Sequence, residues 1–116
     1  EKSGILAPSI HTPVENLSGG NQQKVVIGKW IGQTPTIMIF DEPTHGIDIK
    51  AKHDVFIMIN EIAKDSCVIY VSSEIDEVVH LADRILVMRD GYIAKELTAQ
   101  EASRQLILEI ATGTRE

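Results

Sequence analysis

Residues 17 to 24 read Leu-Ser-Gly-Gly-Asn-Gln-Gln-Lys, a hydroxyl and two glycines at the head of a stretch with helical periodicity. Ser18 offers a donor, while Gly19 and Gly20 let backbone N–H groups approach an anion closely. A helix opening there aims its positive dipole end at the same point. Further on, the apolar run Ile37-Met38-Ile39-Phe40 ends in Asp41 and Glu42. Ligands of open α/β sheets bind beyond the carboxyl ends of the strands. Adjacent acids at such an end can divide labour, Asp41 holding Mg²⁺ and Glu42 orienting or deprotonating an attacking water. Two acids closing a strand in a solvent-facing turn are the plain alternative. An N-cap serine before a glycine turn explains Ser18 and one glycine, but not both glycines. The pattern is one of phosphate and metal chemistry, yet the phosphate-gripping loop G-x-x-x-x-G-K-[ST] is absent from these 116 residues. The Gly28-Lys29 pair does not replace it, since it falls inside a predicted helix, lacks the upstream glycine and precedes Trp30.

Composition bounds the scaffold that must position these groups. At 116 residues the chain is at most one domain, small for a complete nucleotide hydrolase. Aromatics are only 4%, so the core must come from Ile, Val, Leu, Ala and Met. Seventeen acids against 11 bases give a formal charge of −6, which argues against gripping a nucleic-acid backbone. The single cysteine, Cys67, excludes an internal disulfide, and its apolar neighbours predict a buried strand position. The four histidines have no metal-ligand spacing. No apolar run reaches the length of about 20 residues that spans a bilayer, and no signal peptide opens the chain. The start at Glu1, without Met, suggests a cytoplasmic piece of something longer.

The periodicities place the motifs. Pro8 and Pro13 predict an irregular first 16 residues. A helix is expected from Asn21, with Val25, Val26, Ile27, Trp30 and Ile31 as its apolar positions. Thr36 to Phe40 and Cys67 to Val71 read as strands buried on both faces. Between them a helix follows Asp48, with Ala51, Val55, Met58, Ile59 and Ile62 inward and Lys50, Lys52, Asp54, Glu61 and Lys64 outward. Ser72 and Ser73 are placed to cap a short helix through Leu81, with Asp76 and Glu77 in its first turn. Asp90-Gly91 predicts a hairpin between Arg84–Met88 and Tyr92–Leu97. Thr98-Ala99-Gln100-Glu101 reads as a capping box opening a last helix, with Ala102, Leu106 and Ile110 inward and Gly113 as its stop. Alternating strands and helices imply an α/β fold with a mostly parallel sheet and a C-terminal β-hairpin.

These motifs, in this order, resemble the C-terminal half of an ABC-transporter ATPase domain. Leu17-Ser18-Gly19-Gly20 is similar to that family's signature, and Ile37 to Glu42 to its Walker B strand. Thr44-His45-Gly46-Ile47-Asp48 resembles the D-loop region, and Val71-Ser72-Ser73 falls where the switch histidine is normally found. Ala82 to Gly91 resembles the segment that follows. The match runs over about residues 14–97. Its spellings, with Asn21-Gln22-Gln23-Lys24 after the glycines and Ser72-Ser73-Glu74 after the second strand, are closest to the second ATPase domain of ribose-, xylose- and galactose-type importers. His45 stands where an arginine is usual, and Trp30 is bulkier than expected.

The resemblance implies a partial P-loop NTPase fold lacking the P-loop strand, which in the family lies between the Cys67–Val71 and Arg84–Met88 strands. It divides the chain into signature loop and helix (1–32), Walker B, D-loop and switch region (33–97) and C-terminal helix (98–116). It implies ATP and Mg²⁺ as cofactors, Glu42 as catalytic base and Asp41 as the metal-side acid. Ser18, Gly19, Gly20, Gln22, Asp48 and Ser73 would contact nucleotide. In such ATPases two domains face head to tail, so Ser18, Gly19 and Gly20 would serve the γ-phosphate held by a second ATPase domain, in the same or another chain. Asp41 and Glu42 would serve the nucleotide on their own side. Ser73 cannot become cationic as a histidine can, which fits a domain weak at its own site. The other implied partners are transmembrane permease subunits and, indirectly, a periplasmic sugar-binding protein, with no nucleic acid. The implied location is peripheral, on the cytoplasmic face of the membrane. Two alternatives stay open: a non-transport ABC ATPase acting on DNA or ribosomes, and a truncated binding module without ATPase activity. The isolated chain is expected neither to bind ATP tightly nor to hydrolyse it, and to self-associate or be only marginally stable, since the missing strand would leave two edges unpaired.

Overall fold

The computed structural model describes residues 19–33 and 35–114, which form eight elements. In order they are α1 (Gly19–Ile31), β1 (Ile37–Asp41), α2 (Ile49–Ile62), β2 (Cys67–Val71), α3 (Ile75–Leu81), β3 (Arg84–Arg89), β4 (Tyr92–Thr98) and α4 (Arg104–Thr112). The predicted irregular first 16 residues lie outside the described part. The chain divides into two compact units, one up to Ile69 and one from Tyr70 onward.

In the first unit α2 begins where Asp48 stops the preceding loop. Its carboxylate accepts the Ala51 N–H at 2.8 Å, satisfying one of the donors a helix start leaves open. Val55, Met58, Ile59 and Ile62 then recur at helical spacing and are all buried, as the periodicity predicts. This helix connects β1 to β2, which are hydrogen-bonded neighbours. The Cys67 N–H donates to Thr36 at 2.9 Å, and the Ser66 hydroxyl to the Pro35 carbonyl at 2.6 Å. The strands are not buried on both faces as expected. In β1, Met38 and Phe40 are buried while Ile37 and Ile39 face outward, Ile39 at 67% exposure. Cys67 is likewise exposed. The reason is the period of two, which sends alternate side chains to opposite faces. Only one face of β1 is covered among the described residues. Trp30 and Val26 of α1 are also half exposed, and with Ile37, Ile39 and Asp41 they line an open cleft of about 520 Å³.

The second unit is built on the hairpin. Asp90 and Gly91 both take positive φ, 51° and 83°, as a tight turn between twisted strands requires. The β3–β4 register runs from Arg84 opposite Thr98 to Arg89 opposite Tyr92, with a bulge beside Val87 and Met88. Ile85, Val87 and Leu97 face a core completed by Ile107 and Ile110 of α4, against which Ile75, Val78 and Val79 of α3 also pack. The Thr98–Glu101 box forms, each backbone N–H bonded to the other's side chain, but it closes a single turn and does not open α4. Ser103 caps that helix instead, accepting from Leu106. The last helix therefore buries Ile107 and Ile110, with Ala102 and Leu106 only partly covered. Gly113 ends it at φ 83°, as predicted. The Arg89 guanidinium bonds the Ile110 carbonyl there, a cation at the negative end of the helix. Truncating Ile110, which is 1% exposed, should cost about 2–4 kcal/mol in urea unfolding of the chain. A loss under about 1 kcal/mol would show that α4 is not part of this core.

Candidate functional site

Ser18 lies outside the described residues, so the site begins at Gly19. Both glycines are the first residues of α1, two positions earlier than the start expected at Asn21. They do different things. Gly19 is exposed, and a Cβ there would meet Ile47 at an ordinary 3.7 Å. Gly20 is buried, and a Cβ there would overlap the Cβ of Ala51. The second glycine is thus required by close approach of α1 to α2, whatever else it contacts.

One turn further along α1 the same face carries Lys24, which the sequence reading left with the polar run. Its ammonium reaches Asp54 of α2 at 2.7 Å, with side-chain exposures of 3% and 33%. Asp54 is therefore not simply on the outer face of α2. The Lys24 hydrogen bond holds its carboxyl below the ordinary aspartate range, against the opposing effect of burial. The available signal was the spacing of Gly20, Lys24 and Ile27, four and three apart, which marks one helix face. A lysine between a glycine and an isoleucine on that face is the departure from amphipathic habit.

Contacts advance along both helices together, Gly20 to Ala51 and then Lys24 to Asp54. Helices α1 and α2 consequently lie side by side with their N-termini at the same end. That brings Gly19 beside Ile47 and the α2 cap Asp48. Asp41 and Glu42 sit where β1 ends and the chain turns toward Asp48. Asp41 is exposed and Glu42 half-buried. Glu42 takes φ 48°, a left-handed conformation costly for a residue with a side chain. The turn is held by the His45 N–H to the Glu42 carbonyl (3.2 Å) and Ile47 N–H to Thr44 (3.3 Å), around buried Pro43 and Thr44. Gly46 supplies the second positive φ, 76°. An exposed carboxylate at a strand end suits Mg²⁺, which is commonly held by one or two protein carboxylates plus phosphate oxygens and water. No cluster of three or more His, Cys, Asp or Glu able to cage a metal occurs among the described residues.

Ser73 belongs to the second unit and is exposed in the turn between β2 and α3. The expected serine cap of α3 does not form. Glu74 is the N-cap residue without a side-chain bond, and the Ser72 oxygen instead accepts the Glu74 N–H at 2.9 Å. Beneath that turn Glu77 is 5% exposed, and Tyr70 donates its hydroxyl to it at 2.7 Å. From sequence it is an acid in the first turn of α3, where the helix dipole favours one.

A family model described as ABC transporter matches residues 3–45. The chain is 48% identical over 102 residues to the ribose import ATP-binding protein RbsA of Oceanobacillus iheyensis, an alignment covering 87% of this chain and 21% of that protein. It is 47% identical over 110 residues to the xylose import ATP-binding protein XylG of Geobacillus kaustophilus, covering 94% and 22%. Its fold superimposes on an ATP-binding cassette of an ABC transporter with a TM-score of 0.71 at 29% identity, over 84% of this chain and 41% of the other. The chain belongs to the ABC-transporter ATP-binding family. It spans about a fifth of the length of these import proteins. The fold is a fragment of the P-loop NTPase α/β architecture, as the motifs implied. No described helix is long and apolar enough to cross a membrane.

Two outcomes follow from the α1–α2 contact. Gly20→Ala should lower the unfolding midpoint by several degrees while Gly19→Ala shifts it little, and adding Ala51→Gly to the first should recover part of the loss. Equal effects of the two alanines would contradict the packing role. Separately, a carboxylate with a depressed folded pKa stabilises above its unfolded pKa, and that contribution is lost as pH falls through the folded value. Stability should therefore decline below about pH 4, and Asp54→Asn should flatten that acid limb in pH-dependent urea titrations.

Proposed function

We propose that this chain is the signature, Walker B and switch part of the ATP-binding subunit of an ABC sugar importer, and that its strongest contribution is made to a nucleotide held by a second ATPase domain. The observation that carries this reading is the exposed Gly19 at the N-terminus of α1, beside Ile47 in the loop that ends at the α2 cap Asp48. Backbone N–H groups at that end and the Ser18 hydroxyl would meet the γ-phosphate of the facing domain, with Gln22 and Asp48 beside them. The names of the relatives support ribose or xylose as the class of cargo. The partners are then permease subunits at the cytoplasmic face of the membrane and, indirectly, a periplasmic binding protein.

On its own side the chain would supply the acids. Glu42 orients the attacking water and takes its proton as oxygen bonds to the γ-phosphorus and the bridging oxygen leaves with ADP. Asp41 would hold Mg²⁺, which neutralises charge building on the phosphates. The left-handed Glu42 backbone supports this assignment, because strain of this kind collects at working sites. Ser73 stands at the switch position with a neutral hydroxyl, which favours a weak local site and a strong one in trans.

In the full-length protein, Ser18→Ala should lower ATP turnover about tenfold, and Glu42→Gln less than that. The 116-residue chain alone should show no turnover. Hydrolysis by the isolated chain that Glu42→Gln abolishes, or a full-length Ser18→Ala protein at wild-type rate, would overturn the reading.

A further inference from the structure

Lys24 is 2% exposed, and its ammonium is paired with Asp54 of α2. A buried ion pair is a poor way to gain stability, since desolvating the ammonium offsets most of the attraction and apolar residues of similar volume do as well or better. What such a pair does fix is direction. The Lys24 Nζ to Asp54 Oδ2 bond of 2.7 Å is a directed contact between α1 and α2, one helical turn beyond the close approach of Gly20 to Ala51. One contact sets how closely two helices approach. Two set their tilt and axial register, and with them the position of the N–H groups at the head of α1. Ala51, one of the contact residues, also donates its N–H to the Asp48 cap, so the same clamp reaches the loop before α2.

We propose that Lys24 is a positioning residue for the glycine loop: through Asp54 it locks α1 onto α2, so that the loop and the Asp48 turn are presented to the opposite nucleotide as one rigid piece. This inference rests on the trans role of the signature given above. Lys24 itself touches no phosphate in it.

The test uses ATP hydrolysis by the full-length protein, with thermal unfolding measured on every variant. Lys24→Met should lower kcat about tenfold with KM for ATP within about twofold, since a misplaced donor weakens the transition state more than ground-state binding. Lys24→Arg, which keeps the charge and the hydrogen bond, should stay within about threefold of wild type. Lys24→Met combined with Asp54→Leu removes both charges; it should regain thermal stability but not kcat. Lys64→Met breaks an exposed ion pair with Glu61 at the C-terminal end of α2 and should change neither. Should Lys24→Met fail to fold, Asp54→Asn carries the test, because that side chain is one-third exposed and its amide stays hydrated. It should lower kcat about threefold, and an unchanged rate would overturn the proposal. Recovery of kcat together with stability in the double variant would reduce the pair to a structural one and also overturn it. A normal Lys24→Met rate beside an impaired Ser18→Ala protein would sink the positioning role and leave the trans signature standing. A silent Ser18→Ala would remove the trans reading itself, and the proposal with it.

Discussion

The first unit depends on how closely α1 can approach α2. With no side chain at Gly20, the two backbones come together until Ala51 fills the space a methyl group would need. Everything at the candidate site inherits that distance. It puts Gly19 in contact with Ile47, sets Lys24 within reach of Asp54, and brings the heads of both helices to one end. A glycine that a sequence reader assigns to phosphate is therefore also a packing residue. The two demands are compatible: at the head of α1 the second glycine is buried against α2 while the first stays exposed. The pair divides the work by depth.

The site was legible in the sequence where its chemistry is local. A glycine pair opening a helix, an acid ending an apolar strand, an aspartate three residues before the first free N–H of α2, and an Asp-Gly hairpin turn all express backbone requirements met within a few residues. What could not be read depends on partners distant in sequence. Lys24 and Asp54 are 30 positions apart, and nothing local to either says that they meet. Glu77 has the right place for a dipole-stabilised surface acid, and only the fold brings the Tyr70 hydroxyl to it. Strand burial failed for a related reason. An apolar run such as Ile37 to Phe40 states that both faces suit burial, while the number of faces covered is a property of the neighbours present.

Competition between nearby caps explains the remaining differences. Thr98 and Glu101 satisfy each other's N–H groups, as a capping box should, but the chain then reaches Ser103, whose hydroxyl is placed to accept from Leu106. The later cap wins because it lets Ile107 and Ile110 enter the core under β3 and β4. A helix counted from Thr98 would have carried its stripe on Ala102, Leu106 and Ile110, leaving Ile107 out of it. At the β2–α3 junction the Ser72 oxygen is taken by the Glu74 N–H, two residues on, and Glu74 is the N-cap residue of the helix that follows. Tertiary burial decides between local motifs of similar strength.

The same ranking bears on how the two groups of functional residues differ. Asp41 and Glu42 are held by the turn that contains them, through Pro43, the bonds from His45 and Ile47, and the positive φ at Glu42 and Gly46. These bonds lie within about one turn of chain. Gly19 and Gly20 have no such local frame. A helix end frays unless tertiary contact holds it, and α1 has its contacts on α2. On the proposed reading this end must meet a nucleotide carried by a different domain. Donors that act across an interface lose most from a small tilt, because both partners must hold still for the geometry to repeat. A clamp one turn behind the loop, made of a close backbone contact and a single directed ion pair, supplies that stiffness without placing any charged side chain in the phosphate's path.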